Sequence, residues 1–165
     1  MIIETPDITR DRTGLDGVSW NILGQVYVPK QVSQDSIAWH ATFPEETFVP
    51  PHIHPHQDEY IYVLDGQIDL ILDGQTTYAR TGDLVRMPRG IAHAFFNNTG
   101  KPVTALFWAA PAGKLLALYR RIHNMSSPAQ VMQVSREYDV VFLPPVSSAA
   151  DAHTYYEQPI AHQEG

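Results

Sequence analysis

The stretch Pro50–Tyr60, PPHIHPHQDEY, places His52, His54 and His56 at alternate positions between prolines, ahead of two carboxylates, Asp58 and Glu59. In an extended chain residues two apart point the same way, so His52 and His54 present both imidazoles to one side. Glu59 lies an odd number of residues from His54, and an unbroken strand would turn it to the opposite face. Pro55 resolves the parity. It cannot serve a sheet ladder, so the chain is predicted to bend around 55–57 and to re-enter as a new strand near Glu59. On that strand Glu59, Ile61 and Val63 share a side, which sets a carboxylate among apolar neighbours. An ionised carboxylate buried there is costly unless it is paired or coordinated, and a divalent cation removes the cost.

Outward from this stretch, residues 20–110 form a series of short apolar runs punctuated by turn dipeptides: Asp65-Gly66, Asp73-Gly74, Thr81-Gly82 and, with Asn98 before them, Thr99-Gly100. That spacing predicts an all-β sandwich or barrel. Ile37, Trp39, Ala41 and Phe43 alternate with more polar residues, as in a half-buried strand. YIYVLDGQIDLILDG is expected to form two strands joined by a hairpin turn at Asp65-Gly66. DLVRMP, HAFFN and VTALFWAA supply three more strands. After Pro111 the period changes: Leu115, Leu118, Tyr119 and Ile122 recur at helical spacing, with Lys114, Arg120 and Arg121 on the outer side. Ser127, Pro128 and Gln130 signal the start of a second helix running through Val131 and Val134 toward Tyr138. The resulting divisions are an N-terminal arm (1–19), a β domain (20–111), helices packed on it (112–146) and a polar tail (147–165).

Bulk composition narrows the function. A chain of 165 residues, 44% hydrophobic and 18% charged, is globular and long enough for one core. A formal charge of -7 argues against nucleic acid or an anionic membrane as partner. No cysteine is present, which excludes disulfides, thiolate nucleophiles and sulfur-ligated zinc, so any metal must be held by nitrogen and oxygen. The opening MIIETPDITR reads as neither signal peptide nor membrane span, and a cytoplasmic setting is the expectation.

A further histidine, His93, opens HAFFN with Phe95 and Asn97 on its own face, completing a candidate four-ligand set with His52, His54 and Glu59. These residues resemble the cupins, whose two motifs are G(x)5HxH(x)3-4E(x)6G and G(x)5PxG(x)2H(x)3N. His52, His54, Glu59 and Gly66 fill the first; Gly82, Pro88, Gly90, His93 and Asn97 fill the second. One position departs, Glu46 standing where the first motif has its leading glycine. The resemblance spans roughly 20–110, and the helix and ending beyond it look like those of cupins related to quercetin dioxygenase.

The resemblance implies a jelly-roll antiparallel β-barrel with one divalent transition metal (Fe, Mn, Ni, Co, Zn or Cu) on His52, His54, Glu59 and His93, and a homodimer. It implies a metal-dependent oxygenase acting on a small aromatic or enolisable molecule, with Glu59 as the catalytic base. Metal-assisted isomerase, lyase or hydrolase chemistry on an acidic substrate, and a non-enzymatic small-molecule binder, are the alternatives. Ile61, Val63, Val85, Met87 and Phe95 are candidates for the pocket wall. Gly66, Gly82, Pro88, Gly90 and Asn97 are expected to be structural, His56 a rim residue, and Arg86 and Arg89 part of a solvated rim.

Overall fold

A computed structural model describes residues 5–143. The tail expected over 147–165 lies outside the described residues. Among the described residues, after a single 3-10 turn at Leu15–Gly17, eleven strands and two α-helices follow one another in the order β1 Trp20–Ile22, β2 Gln25–Val32, β3 Ile37–Phe43, β4 Phe48–Ile53, β5 Asp58–Asp65, β6 Gln67–Leu72, β7 Gln75–Arg80, β8 Leu84–Met87, β9 His93–Phe96, β10 Val103–Ala110, α1 Leu115–Ile122, α2 Pro128–Glu137 and β11 Val141–Phe142. They build two antiparallel sheets, ordered β1-β2-β3-β10-β5-β8 and β11-β4-β9-β6-β7. The expected jelly roll is present as two facing sheets rather than as one continuous ring of strands.

Alternation decides which residues meet between the sheets. Along β3 and β10 every second side chain is buried, and Trp39, Phe43 and Phe107 are at most 1% exposed. Trp39 stacks on Phe107 with ring centroids 5.4 Å apart, Phe43 meets Phe107 edge-on at 5.5 Å, and Phe43 reaches across to Phe95 of the other sheet at 5.7 Å. Each such pair adds about 0.5–1.5 kcal/mol beyond the burial of its area.

The expected hairpin at Asp65-Gly66 does not form. β5 pairs with β10 and β8, whereas β6 pairs with β7 and β9, so this dipeptide carries the chain from one sheet to the other. A type I′ hairpin requires positive φ at both central residues, and here only Gly66 has it, at 95°. A Cβ on Gly66 would stand 3.1 Å from the Val103 side chain, so this sharp corner accepts little else. True two-residue hairpins occur at Asp73-Gly74 (φ 49° and 78°) and at Leu23-Gly24 (φ 52° and 91°).

Both helices form where periodicity and capping place them. Leu115, Leu118, Tyr119 and Ile122 are the buried face of α1, and the Ser127 hydroxyl caps α2 by accepting from the Gln130 amide. Tyr119 packs on aromatic rings of the first sheet, 5.2 Å from both Tyr27 and Trp39. β11, which hydropathy patterning did not single out, adds two residues to the edge of β4, pairing Phe142 with His52. Among the described residues no helix is long and apolar enough to cross a membrane. Phe107→Ala should lower unfolding free energy by about 3–5 kcal/mol, the usual cost of an unfilled aromatic site, measured by urea denaturation.

Candidate metal centre

His52 belongs to β4, His54 to the bend just after it, Glu59 to β5 and His93 to the start of β9. The predicted break is present: β4 ends at Ile53 and β5 begins at Asp58, with Glu59, Ile61 and Val63 buried on one side. A bulge completes the parity. Between Val49 and His52 β4 advances three residues while β9 advances two, from Phe95 to His93. The extra residue falls at Pro50-Pro51, so Val49 and His52 both face the interior although an odd number of residues apart.

The four side chains are 1–4% exposed, and one ligand atom from each lies within 4.8 Å of all the others. Glu59 Oε2 is 3.2 Å from His93 Nε2 and 3.5 Å from His54 Nε2. Each imidazole faces an acceptor with its other nitrogen. His52 Nδ1 is 2.8 Å from the Pro50 carbonyl and His93 Nδ1 is 3.1 Å from the Ile91 carbonyl. His54 Nδ1 faces Gln57 Oε1 at 3.4 Å. A carbonyl oxygen only accepts, so Nδ1 carries the proton in all three rings and, in the neutral form, Nε2 presents a bare lone pair to the centre. Burial pushes the His52 and His54 pKa values down, so both rings are neutral near pH 7. Burial pushes the Glu59 carboxyl up, and the pull of His54 and His93 in the opposite direction operates only when a proton or another cation sits between their Nε2 atoms and the carboxylate.

Gln57 is the residue that sequence reasoning passed over in favour of its neighbour. His56 is exposed, whereas Gln57 is 2% exposed. Its Nε2 donates to the carbonyls of Pro111 (2.9 Å) and Ala112 (2.7 Å), which fixes Oε1 as the atom turned toward His54. Gly113 follows at φ 53°, and a Cβ there would stand 2.7 Å from Gln57 Nε2. The only advance signal was a polar residue inside the histidine stretch.

The structural motif residues hold the strands that carry the cluster. Gly82 and Gly90 adopt φ of 93° and 78°, and Gly90 N donates to the His54 carbonyl at 2.9 Å. Ile91 N donates to the Pro88 carbonyl, closing the same turn. Asn97, fully buried, places Nδ2 within 3.1 Å of the Phe43, Pro44 and Lys101 carbonyls and accepts from the Thr99 hydroxyl. Glu46, the departure from the glycine pattern, adopts φ 62°, so the left-handed turn is kept by a residue that pays about 1–2 kcal/mol for it.

A cavity of about 80 Å³ opens onto His52, His54 and Glu59. Its wall includes Trp39, Phe95, Phe107 and, from the C-terminal segment, Leu118, Tyr119 and Phe142. Of the five residues expected there, Phe95 alone takes part; Ile61, Val63, Val85 and Met87 pack in the core instead. Each of those four strand positions faces other buried side chains, and the helices supply the wall in their place. Arg86 points outward, and Arg89 pairs with Asp58 through two side-chain contacts (3.1 and 2.9 Å) and its backbone N–H (3.0 Å).

Residues 39–109 match the family model for the cupin domain. Over 116 residues the chain is 30% identical to quercetin 2,3-dioxygenase of Bacillus subtilis, covering 62% of this chain and 34% of that protein. It is 33% identical over 78 residues to germin-like protein 9-3 of rice, Oryza sativa subsp. japonica, covering 43% and 36%. The chain thus spans about a third of the length of these curated relatives. The structure of KdgF from Halomonas sp. superposes with a TM-score of 0.60 at 18% identity, covering 68% of this chain and 99% of that one. Two facing antiparallel sheets with a buried histidine and glutamate cluster are the architecture of the chain, and residues 39–109 within it match the cupin domain.

Two expectations follow. Gln57→Leu removes the acceptor for His54 Nδ1–H, and divalent-metal affinity should fall about 10–100-fold, read by competitive chelator titration. Arg89 hydrogen bonds lower the Asp58 pKa to about 2. With the folded value below an unfolded value of about 4, the pair's stabilisation is present above that unfolded value and lost as pH falls through about 2. The gap in urea midpoint between wild type and Arg89→Ala should therefore be level from neutral pH down to about 5 and close between about 4 and 2.

Proposed function

We propose that the chain is a metal-dependent cupin oxygenase acting on a small aromatic or enolisable compound, with one divalent transition metal held by Nε2 of His52, His54 and His93 and by the Glu59 carboxylate. One observation carries this reading: four buried acceptors converge while the protons of the three imidazoles are turned away onto carbonyl oxygens. A single added proton can bridge one pair of these atoms, but only a cation among them satisfies all four at once. Ligands about 2.1 Å from one octahedral ion stand about 3.0–4.2 Å apart, close to the spread within 4.8 Å found here. Nitrogen and oxygen donors of this kind suit iron, manganese, nickel, cobalt, zinc or copper.

Such an ion supplies Lewis acidity and, if redox-active, electron transfer with dioxygen. The protein's own groups do the rest. Glu59, on the cavity wall and ionised when a cation shares the cluster, accepts the proton that an enolisable carbon or a hydroxyl loses. Trp39, Phe107, Leu118 and Phe142 exclude water from the reacting end. The likeness to quercetin 2,3-dioxygenase supports oxygen chemistry. The alternative of an acidic or phosphorylated substrate is not favoured, because among the described residues no Lys or Arg lines this cavity.

Protein isolated from its host should hold about one metal per chain by elemental analysis, and His54→Ala should hold less than a tenth of that. Metal-loaded wild type should consume dioxygen with at least one of a panel of flavonols, catechols and β-diketones in an oxygen electrode. Equal metal in wild type and His54→Ala would sink the ligand assignment. Metal without oxygen uptake, together with turnover under nitrogen, would replace oxygenase by non-oxidative chemistry.

A further inference from the structure

The inner cavity adjoins a second one. A second space of about 450 Å³ lies outside it, and the two share Leu23, Gln25, Phe48, Pro50, Val131 and Phe142. The inner chamber is small: about 80 Å³, against about 150 Å³ for a cavity that takes benzene. It therefore accepts a compact head group, and anything larger must extend into the outer space. That outer space is walled by Phe48, Pro128, Val131 and Met132, with Glu45 and Glu46 also lining it and, among the described residues, no Lys or Arg. Glu59 is the one ionisable side chain besides the histidines and tyrosines of the inner wall.

One polar group, Gln25, lines both chambers, and a second, Tyr119, lines the inner one. Tyr27 donates its hydroxyl to Gln25 Oε1 at 2.8 Å, which leaves the Gln25 amide nitrogen without a partner among the described residues. The Tyr119 hydroxyl, on the same wall, also has none among them, and burial raises its pKa well above the ordinary range, so it stays a donor. Both suit an acceptor oxygen, and with Glu45 and Glu46 nearby and no Lys or Arg among the described lining residues an uncharged one fits better than a carboxylate.

An unusual turn residue points to the same place. The Leu23-Gly24 hairpin needs positive φ at its first position, where Asn or Asp is favoured and a bulky residue is strained. Leu23 holds φ 52° there, is 39% exposed, and lines both spaces. Nothing in the hairpin itself requires leucine, so its side chain belongs to the entrance.

Resting on the proposed metal-centred reading for the inner end, we infer that the ligand is an uncharged amphiphile: a compact dioxygenated head seated at His52, His54 and Glu59, and an apolar tail lying in the outer chamber against Leu23, Phe48 and Met132. Flavonols, whose enolic oxygens are flanked by rings on both sides, are excluded, and so are tails that end in a carboxylate.

Binding of pentane-2,4-dione, heptane-2,4-dione, octane-2,4-dione, 5,7-dioxooctanoate and quercetin to metal-loaded protein, followed by calorimetry, tests this. Affinity should rise about threefold or more with each added methylene from pentane- to octane-2,4-dione, the order expected for burying one methylene. 5,7-Dioxooctanoate should bind at least tenfold more weakly than octane-2,4-dione. Leu23→Asn, which suits the turn better, should raise the thermal midpoint yet weaken octane-2,4-dione at least fivefold. Affinity that is flat or falls with tail length, a carboxylate bound as well as the alkyl tail, quercetin bound more tightly than the diones, or no dione binding at all overturns the inference. Elemental analysis of the same samples separates the two readings. A metal-free protein that keeps the tail-length series loses the metal centre and keeps the amphiphile site; a metal-bearing protein with a flat series does the reverse.

Discussion

The site depends on where three protons sit. Each imidazole of the cluster has its Nδ1–H committed to an oxygen that cannot move freely: two backbone carbonyls and an amide oxygen held by its own nitrogen. Those commitments set the tautomer, and the tautomer decides that the centre is lined by lone pairs instead of donors. Charge does not create this arrangement. Local backbone geometry does, because the Pro50 and Ile91 carbonyls each lie two residues before the ring they hold.

The two-sheet architecture supplies the rest through register. The Pro50-Pro51 bulge reverses the parity of β4, so that His52 comes opposite His93 on β9. Glu59 arrives from the other sheet, flanked by the small Ala109 and by Met87. The Arg89–Asp58 pair and the Gly90–His54 backbone bond tie the second motif to the first across that gap. A carboxylate from one sheet thus meets imidazoles from the other at the end of the core that α1 and β11 cover, where water is scarce and unmatched charge is costly.

Much of this was legible in the sequence, for reasons that are local. Parity between His52 and His54, the strand break at Pro55, the buried side of β5 and the 3.6-residue period of α1 are properties of neighbouring residues, and all are found. What was not legible depends on partners far along the chain. Asp65-Gly66 carries a hairpin's dipeptide, yet it spans two sheets because β5 pairs with the distant β10 and with β8, and not with β6. Val85 and Met87 have the hydrophobic character of pocket residues, but the pocket wall is given over to Leu118 and Tyr119, which sequence periodicity could assign only to a generic buried face, and to Phe142, which it did not single out. Gln57 gave no sign because its role is set by the Pro111 and Ala112 carbonyls, which only the fold brings near.

That same side chain gives the molecule a mechanical property. Gln57 touches an imidazole with one atom and the link into α1 with another, and Gly113 leaves no slack beside it. Swinging the C-terminal helices outward would drag on the amide and loosen its grip on the ring, whereas seating them would steady it. By reciprocity, anything that fastens the ring must also fasten the helices. The roof over the chamber and the floor beneath it therefore behave as one latch.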